Sequence, residues 1–234
     1  SRIARLGIEV SVPYSYMGSN GTVKEEFKNG AKFTADSLEK IVEKFPFVQD
    51  MIKDRGLMLA MREPYTTKNS KFLPMSGVIE MGNDGGQNIA HEMAHFIQWA
   101  ALGNSAINNE QMDSVIQNEG AGRDIIDYWE ESPLRKKTYQ FLMGATDLQT
   151  AAHYIGYFDL KHEVLARAFS AYMNGASSKR IEAGTASGDY DDQKDVDAIK
   201  PMVEKMMGEF EKKYNSLKKS VVKILSSFRI QSTP

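Results

Sequence analysis

The chain has 234 residues, of which 41% are apolar and 26% charged, with a formal net charge of -2. That is the balance of an ordinary globular protein, long enough for one substantial core, and it excludes a disordered, collagen-like or coiled-coil chain. A pI near 6.1 gives none of the basic field that nucleic acid or an anionic membrane would select, so neither is expected as a partner. Cysteine is absent, which removes disulfides, thiolate ligands and a cysteine nucleophile and leaves nitrogen and oxygen to hold any metal. No apolar run approaches the roughly 18 residues of a membrane span. The start, Ser1-Arg2-Ile3-Ala4-Arg5, lacks the apolar stretch of a signal peptide, so the expected location is the cytoplasm or a virion. One domain over residues 1–234 is expected. The opening without methionine fits a piece of a longer polypeptide, whose remainder would then be a partner.

Ile3 to Val12 is rich in β-branched residues and alternates loosely, which predicts a strand while leaving a helical start open. After a turn around Gly18-Ser19-Asn20-Gly21, Thr34 can cap a helix to about Lys53. Leu38, Ile41, Val42 and Phe45 form its apolar face, and Pro46 kinks or divides it. Leu57 to Arg62 and Gly77 to Met81 read as short strands, separated by a polar loop from Glu63 to Ser76 that would form the lip of a cleft. Asp84 with Gln87 resembles a capping box for a helix from Ile89 to Leu102, with Gly103 beyond it. From Asn104 to Tyr157 the chain reads as helical, with interruptions at Gly120, Gly122, Ser132-Pro133 and Gly144. Asp159 can cap a helix to Asn174, where Gly175 stops it. Ala176 to Asp192 reads as a loop, and Val196 to Leu225 as a long amphipathic helix with Val203, Met206, Met207 and Phe210 on its apolar stripe. These elements predict an α+β, mostly helical fold.

Within the Ile89 helix stands His91-Glu92-Met93-Ala94-His95, an HExxH sequence on a helix that follows a strand. Residues four apart on a helix lie one above the other, about 6 Å apart along the axis, so two imidazoles can reach one ion. Glu92 is offset by about 100° from His91, beside the ion, where it can take a proton from water without being a ligand. The competing reading is a helix bearing two ordinary histidines and a glutamate. Ile89, Ala90, Met93, Ala94, Phe96, Ile97 and Ala101 make the helix strongly apolar around the pair, and histidines in such surroundings need partners.

A catalytic zinc usually takes three protein ligands and keeps one open position. Candidates for the third are His153, His162 and acidic residues on a later helix. There the run Glu163-Val164-Leu165-Ala166-Arg167-Ala168-Phe169 resembles the ExxARAF motif that follows HExxH in the zincin-like metallopeptidase domains of large polyvalent proteins of phages and conjugative elements. More distantly, it is similar to the ExxAN motif of peptidases that cleave repressors. The resemblance covers the two motifs and their order, roughly residues 77 to 175. It implies a small twisted sheet packed on the HExxH helix, a second helix donating a glutamate, and Glu163 as the third zinc ligand. His162 is the rival, since adjacent helical residues differ by about 100° and do not easily face one ion together. Ser170 stands where the family commonly has glutamate, which leaves no outer role for that position.

Arg167, one turn after Glu163, can hold its carboxylate or form an ordinary intrahelical ion pair. His153, Tyr154, Tyr157 and Tyr190 are available to polarise a scissile carbonyl, and spacing singles out none of them. The reading is a zinc metallopeptidase acting on a protein or peptide substrate, with His91, His95 and Glu163 as ligands and Glu92 as base. The alternatives are a catalytically silent binding or structural module of a phage or mobile-element protein, and a metal hydrolase acting on a non-peptide bond.

Overall fold

The computed structural model describes residues 2–12, 17, 19–21, 25–61, 70–81, 88–102, 108–176 and 190–230, with the side chains of 25–30, 109 and 222–230 left aside. A short helix α1 (Arg2–Arg5) leads into strand β1 (Ile8–Ser11), so the segment expected as strand begins with a helical turn. Helix α2 (Glu25–Lys44) starts earlier than Thr34, and α3 (Phe47–Arg55) follows the break at Pro46. Leu38 and Ile41 are fully buried, as their spacing predicts. Strands β2 (Leu57–Met61), β3 (Lys71–Leu73) and β4 (Val78–Met81) complete a mixed sheet in the order β1-β2-β4-β3. β1, β2 and β4 run parallel, and β3 returns antiparallel on β4 with Phe72 opposite Ile79.

One expectation changes here. Lys71–Leu73 lies inside the stretch read as loop, where three strand residues among polar and proline positions carry too little alternation to stand out. As a result, among the described residues, β4 is an inner strand and β3 is the edge beside the motif helix.

That helix, α4 (Ile89–Leu102), is buried on nearly every side. Its expected cap, Asp84 with Gln87, and its stop, Gly103, lie outside the described residues. Then come α5 (Asn109–Glu119), α6 (Arg123–Glu131), α7 (Pro133–Ala145), α8 (Leu148–Phe158), α9 (Lys161–Asn174) and α10 (Gln193–Ile230). The punctuation of α5 to α7 is as the residues predict. Gly120 closes α5 in the left-handed region, Gly122 opens α6, and the Ser132 hydroxyl accepts from Arg135 N with Pro133 at the first helical position. Gly144, by contrast, lies inside α7; Asp147, capping α8 through Thr150 N, marks the break.

Asp159 does not cap α9. It closes α8, and its carboxylate accepts from Trp129 Nε1 at 3.0 Å and Arg135 NH2 at 2.8 Å, with the Tyr139 hydroxyl also bound. α4 packs chiefly on α9 and α10, with the sheet against it through β3. Buried alanines on both main helices (Ala90, Ala94, Ala100 and Ala101 on α4; Ala166, Ala168 and Ala171 on α9) keep their surfaces slim and permit close approach. Val203, Met206, Met207 and Phe210 of α10 are buried, the stripe expected of them. The result is an α+β fold, mostly helical with a small mixed sheet. Among the described residues no helix is long and apolar enough to cross a membrane.

Candidate metal centre

α4 presents His91 and His95 one turn apart, and α9 brings Glu163 against them. His91 Nε2 and His95 Nε2 are 3.1 Å apart, Glu163 Oε2 lies 3.1 Å from His91 Nε2, and Glu163 Oε1 lies 3.5 Å from His95 Nε2. Two ligands each bound at about 2.0–2.1 Å to one ion in tetrahedral geometry stand about 3.3 Å apart, so these spacings match the edges of such a site. The donor set, two imidazoles and a carboxylate, suits zinc. Glu163 Oε2 is buried without a hydrogen bond, a state a carboxylate oxygen keeps at a cost unless a cation meets it. The imidazoles remain 18% and 14% exposed, so the centre is reachable from solvent, while the glutamate side chain is only 6% exposed.

Glu92 stays outside the three-donor cluster, as its helical offset requires. Its carboxylate is buried and accepts a hydrogen bond from Phe72 N of β3 at 2.6 Å. The Phe72 ring packs edge-on against Phe96 and Trp99 of α4, which fixes this edge of the sheet to the motif helix.

His162 is not among the three clustered donors. It is nevertheless nearer than helical offset alone suggests: its Nε2 stands 3.5 Å from Glu163 Oε1. Its Nδ1 faces Asp113 Oδ1 at 2.7 Å, and its backbone N donates to the same oxygen at 2.9 Å. Burial opposes a charge on His162, but the flanking Asp113 and Glu163 prevail and raise its pKa. Burial likewise pushes Glu163 upward, and His95, His162 and His91 outweigh it and hold the carboxyl well below its usual range.

Gln98, fully buried, donates from Nε2 to His162 O at 3.1 Å and presents Oε1 to His95 Nδ1 at 3.4 Å. That amide orientation makes His95 Nδ1 the donor and leaves the lone pair of Nε2 free to face Glu163 and His91. Sequence reasoning missed Gln98, Asp113 and Phe72. Gln98 was within reach, standing three residues after His95 on one helix face. Asp113 and Phe72 meet the site only through tertiary packing.

Arg167 does not hold Glu163. Its NH2 donates to Phe158 O, and its guanidinium lies between the rings of Trp129 at 5.0 Å and Phe158 at 5.2 Å. Of the aromatic candidates, Tyr157 is the one that reaches the centre. The residue is 38% exposed, and burial first, then the negative charge of Glu163, raises the pKa of its hydroxyl. His153 and Tyr154 meet edge to face, with Tyr154 exposed, and Tyr190 is buried with its hydroxyl unpartnered. Comparison with family models, characterised proteins and solved structures returned no match, so the case for this centre stands on its own geometry.

Proposed function

We propose that the chain is a zinc-dependent peptidase, with His91, His95 and Glu163 as ligands and Glu92 as general base. The observation that carries this is the convergence of two imidazoles and a carboxylate from separate helices at tetrahedral-edge distances, with Glu92 beside them and not among them. The order of the two motifs, similar to that in peptidase domains of phage and conjugative-element proteins, supports it. Bound zinc supplies a Lewis acid for the substrate carbonyl and lowers the pKa of water toward 7. Glu92, anchored by Phe72 N, takes the water proton and hands it to the leaving amine. Tyr157, whose hydroxyl feels the charges of both Glu163 and Glu92, is the candidate donor to a developing oxyanion.

The position of β3 supports an extended peptide as the substrate. Among the described residues β3 ends the sheet, and its Phe72 N faces Glu92, so an extended peptide laid along that side would pass the base and the centre. A protein of the same mobile element, or the rest of a parent polypeptide, fits this role.

The rival is a non-catalytic module. The burial of Glu92 and its bond to Phe72 N are the observations in its favour. Glu92→Gln separates the two. A peptidase loses hydrolysis of a peptide library by a hundredfold or more, on the order of a lost general base, with zinc content unchanged. Equal cleavage by variant and wild type contradicts the mechanism.

A further inference from the structure

We propose that His162, held by Asp113 and linked to Gln98, is a positioning residue that sets both Glu163 and His95 for metal binding. This rests on the zinc reading above.

The argument starts at the beginning of α9. Leu160, at the cap position, offers no side-chain acceptor to the first N–H groups of that helix. Asp113 reaches across from α5 and supplies one, accepting from the backbone N of His162 at 2.9 Å. A carboxylate there satisfies orphan donors and complements the helix dipole, so it fixes where α9 begins and how it is rotated.

The same oxygen takes the His162 ring through Nδ1. One carboxylate thus locks both the backbone and the side chain of the residue before the proposed ligand. The locked ring, only 2% exposed, stands against Glu163 Oε1 and also lies 5.3 Å from the His95 ring. With Oε1 walled in this way, Oε2 is left facing His91 without a hydrogen bond. The backbone of His162 acts on the other ligand. Its carbonyl accepts from Gln98 Nε2, which turns Gln98 Oε1 toward His95 Nδ1 and selects the tautomer with a free Nε2. A single residue therefore governs one ligand on α9 through its ring and one on α4 through its carbonyl.

The test is zinc affinity by chelator competition on the full chain, for wild type, Asp113→Ala, His162→Phe, Glu163→Ala and a core-trimming control, Ile199→Val in α10. A loss of stability alone leaves Kd unchanged while the protein stays folded, so Kd at a temperature where circular dichroism shows each variant folded reports positioning. Asp113→Ala and His162→Phe are expected to weaken zinc binding by about 10- to 100-fold, less than Glu163→Ala, with the control at wild-type affinity. If His162→Phe fails to fold, Asp113→Ala, which touches no proposed ligand, decides alone.

A wild type that binds no zinc ends the proposed function itself. A wild type that binds while Asp113→Ala binds equally well overturns only the positioning role. A His162→Phe loss as large as that of Glu163→Ala, with Asp113→Ala unaffected, makes His162 a ligand and also overturns it.

Discussion

Gly122 offers a sharp test of the packing that places α9. It stands at the start of α6 with φ of 69°, and its N–H donates to Glu209 Oε2 of α10 at 3.0 Å. A Cβ there would lie 2.6 Å from Leu165 Cδ2, 3.0 Å from Leu165 Cδ1 and 3.1 Å from Met206 Sδ. Those atoms end flexible side chains, but Leu165 is 0% and Met206 1% exposed, so they can yield only into a filled core. Gly120, two residues earlier with φ of 66°, has nothing within 4 Å of the same virtual atom. Gly120→Ala therefore carries the left-handed backbone cost alone, about 1 kcal/mol. Gly122→Ala adds overpacking of about 1–3 kcal/mol, for a total of about 2–4 kcal/mol. Guanidinium unfolding followed by circular dichroism, with midpoint and slope fitted together, reads both. Leu165 is two residues from Glu163, so the same variant should also weaken zinc binding. Equal stability losses at the two glycines would refute the claim that α6, α9 and α10 are in tight contact at this point.

Further outcomes follow from other contacts. Burial raises the Asp159 carboxyl, but Arg135, Tyr139 and Trp129 prevail and hold it below its usual value. Its contribution is therefore full above the unfolded value of about 3.9 and fades as pH falls through the lower native one. The midpoint gap between wild type and Asp159→Asn should accordingly be wide at pH 6 and shrink progressively as pH falls below about 4, the unfolded value, and a constant gap speaks against the pairing. Ser132→Ala removes the cap of α7 and should lower stability by about 1 kcal/mol in the same assay, whereas no change would mean that the cap is redundant. Tyr157→Phe should slow peptide hydrolysis on the order of a hundredfold while zinc affinity stays near wild type. A loss of zinc without a loss of rate per bound zinc would make Tyr157 a support for Glu163 instead.

Most of what positions the centre was legible in the residues. The HExxH spacing on a strongly apolar helix predicts two histidines on one face, and α4 occupies the expected Ile89–Leu102. Glu163 was chosen over His162 through motif resemblance, and the structure clusters Glu163 with both histidines. The same structure shows why His162 was a near rival, because its ring lies against the chosen carboxylate. What escaped was non-local. Asp113 is 49 positions from His162, and no periodicity links two residues that meet only when α5 crosses the start of α9. β3 escaped for a different reason: a three-residue edge strand is held by its partner β4 and by the Phe72 ring on α4, not by its own pattern. Asp159 was misread because an aspartate before a helix resembles a cap, and the competition from Arg135, Tyr139 and Trp129 is tertiary.

The central claim is that His91, His95 and Glu163 hold one zinc, and the most direct measurement is zinc stoichiometry with X-ray absorption at the zinc edge. Wild-type chain loaded with zinc and freed of excess should retain about one ion per chain, with a first coordination shell of two imidazole nitrogens and oxygen donors at about 2.0–2.1 Å. The His91→Ala, His95→Ala double variant should retain none. Absence of stoichiometric zinc in the wild type, or equal retention by the double variant, would contradict the account.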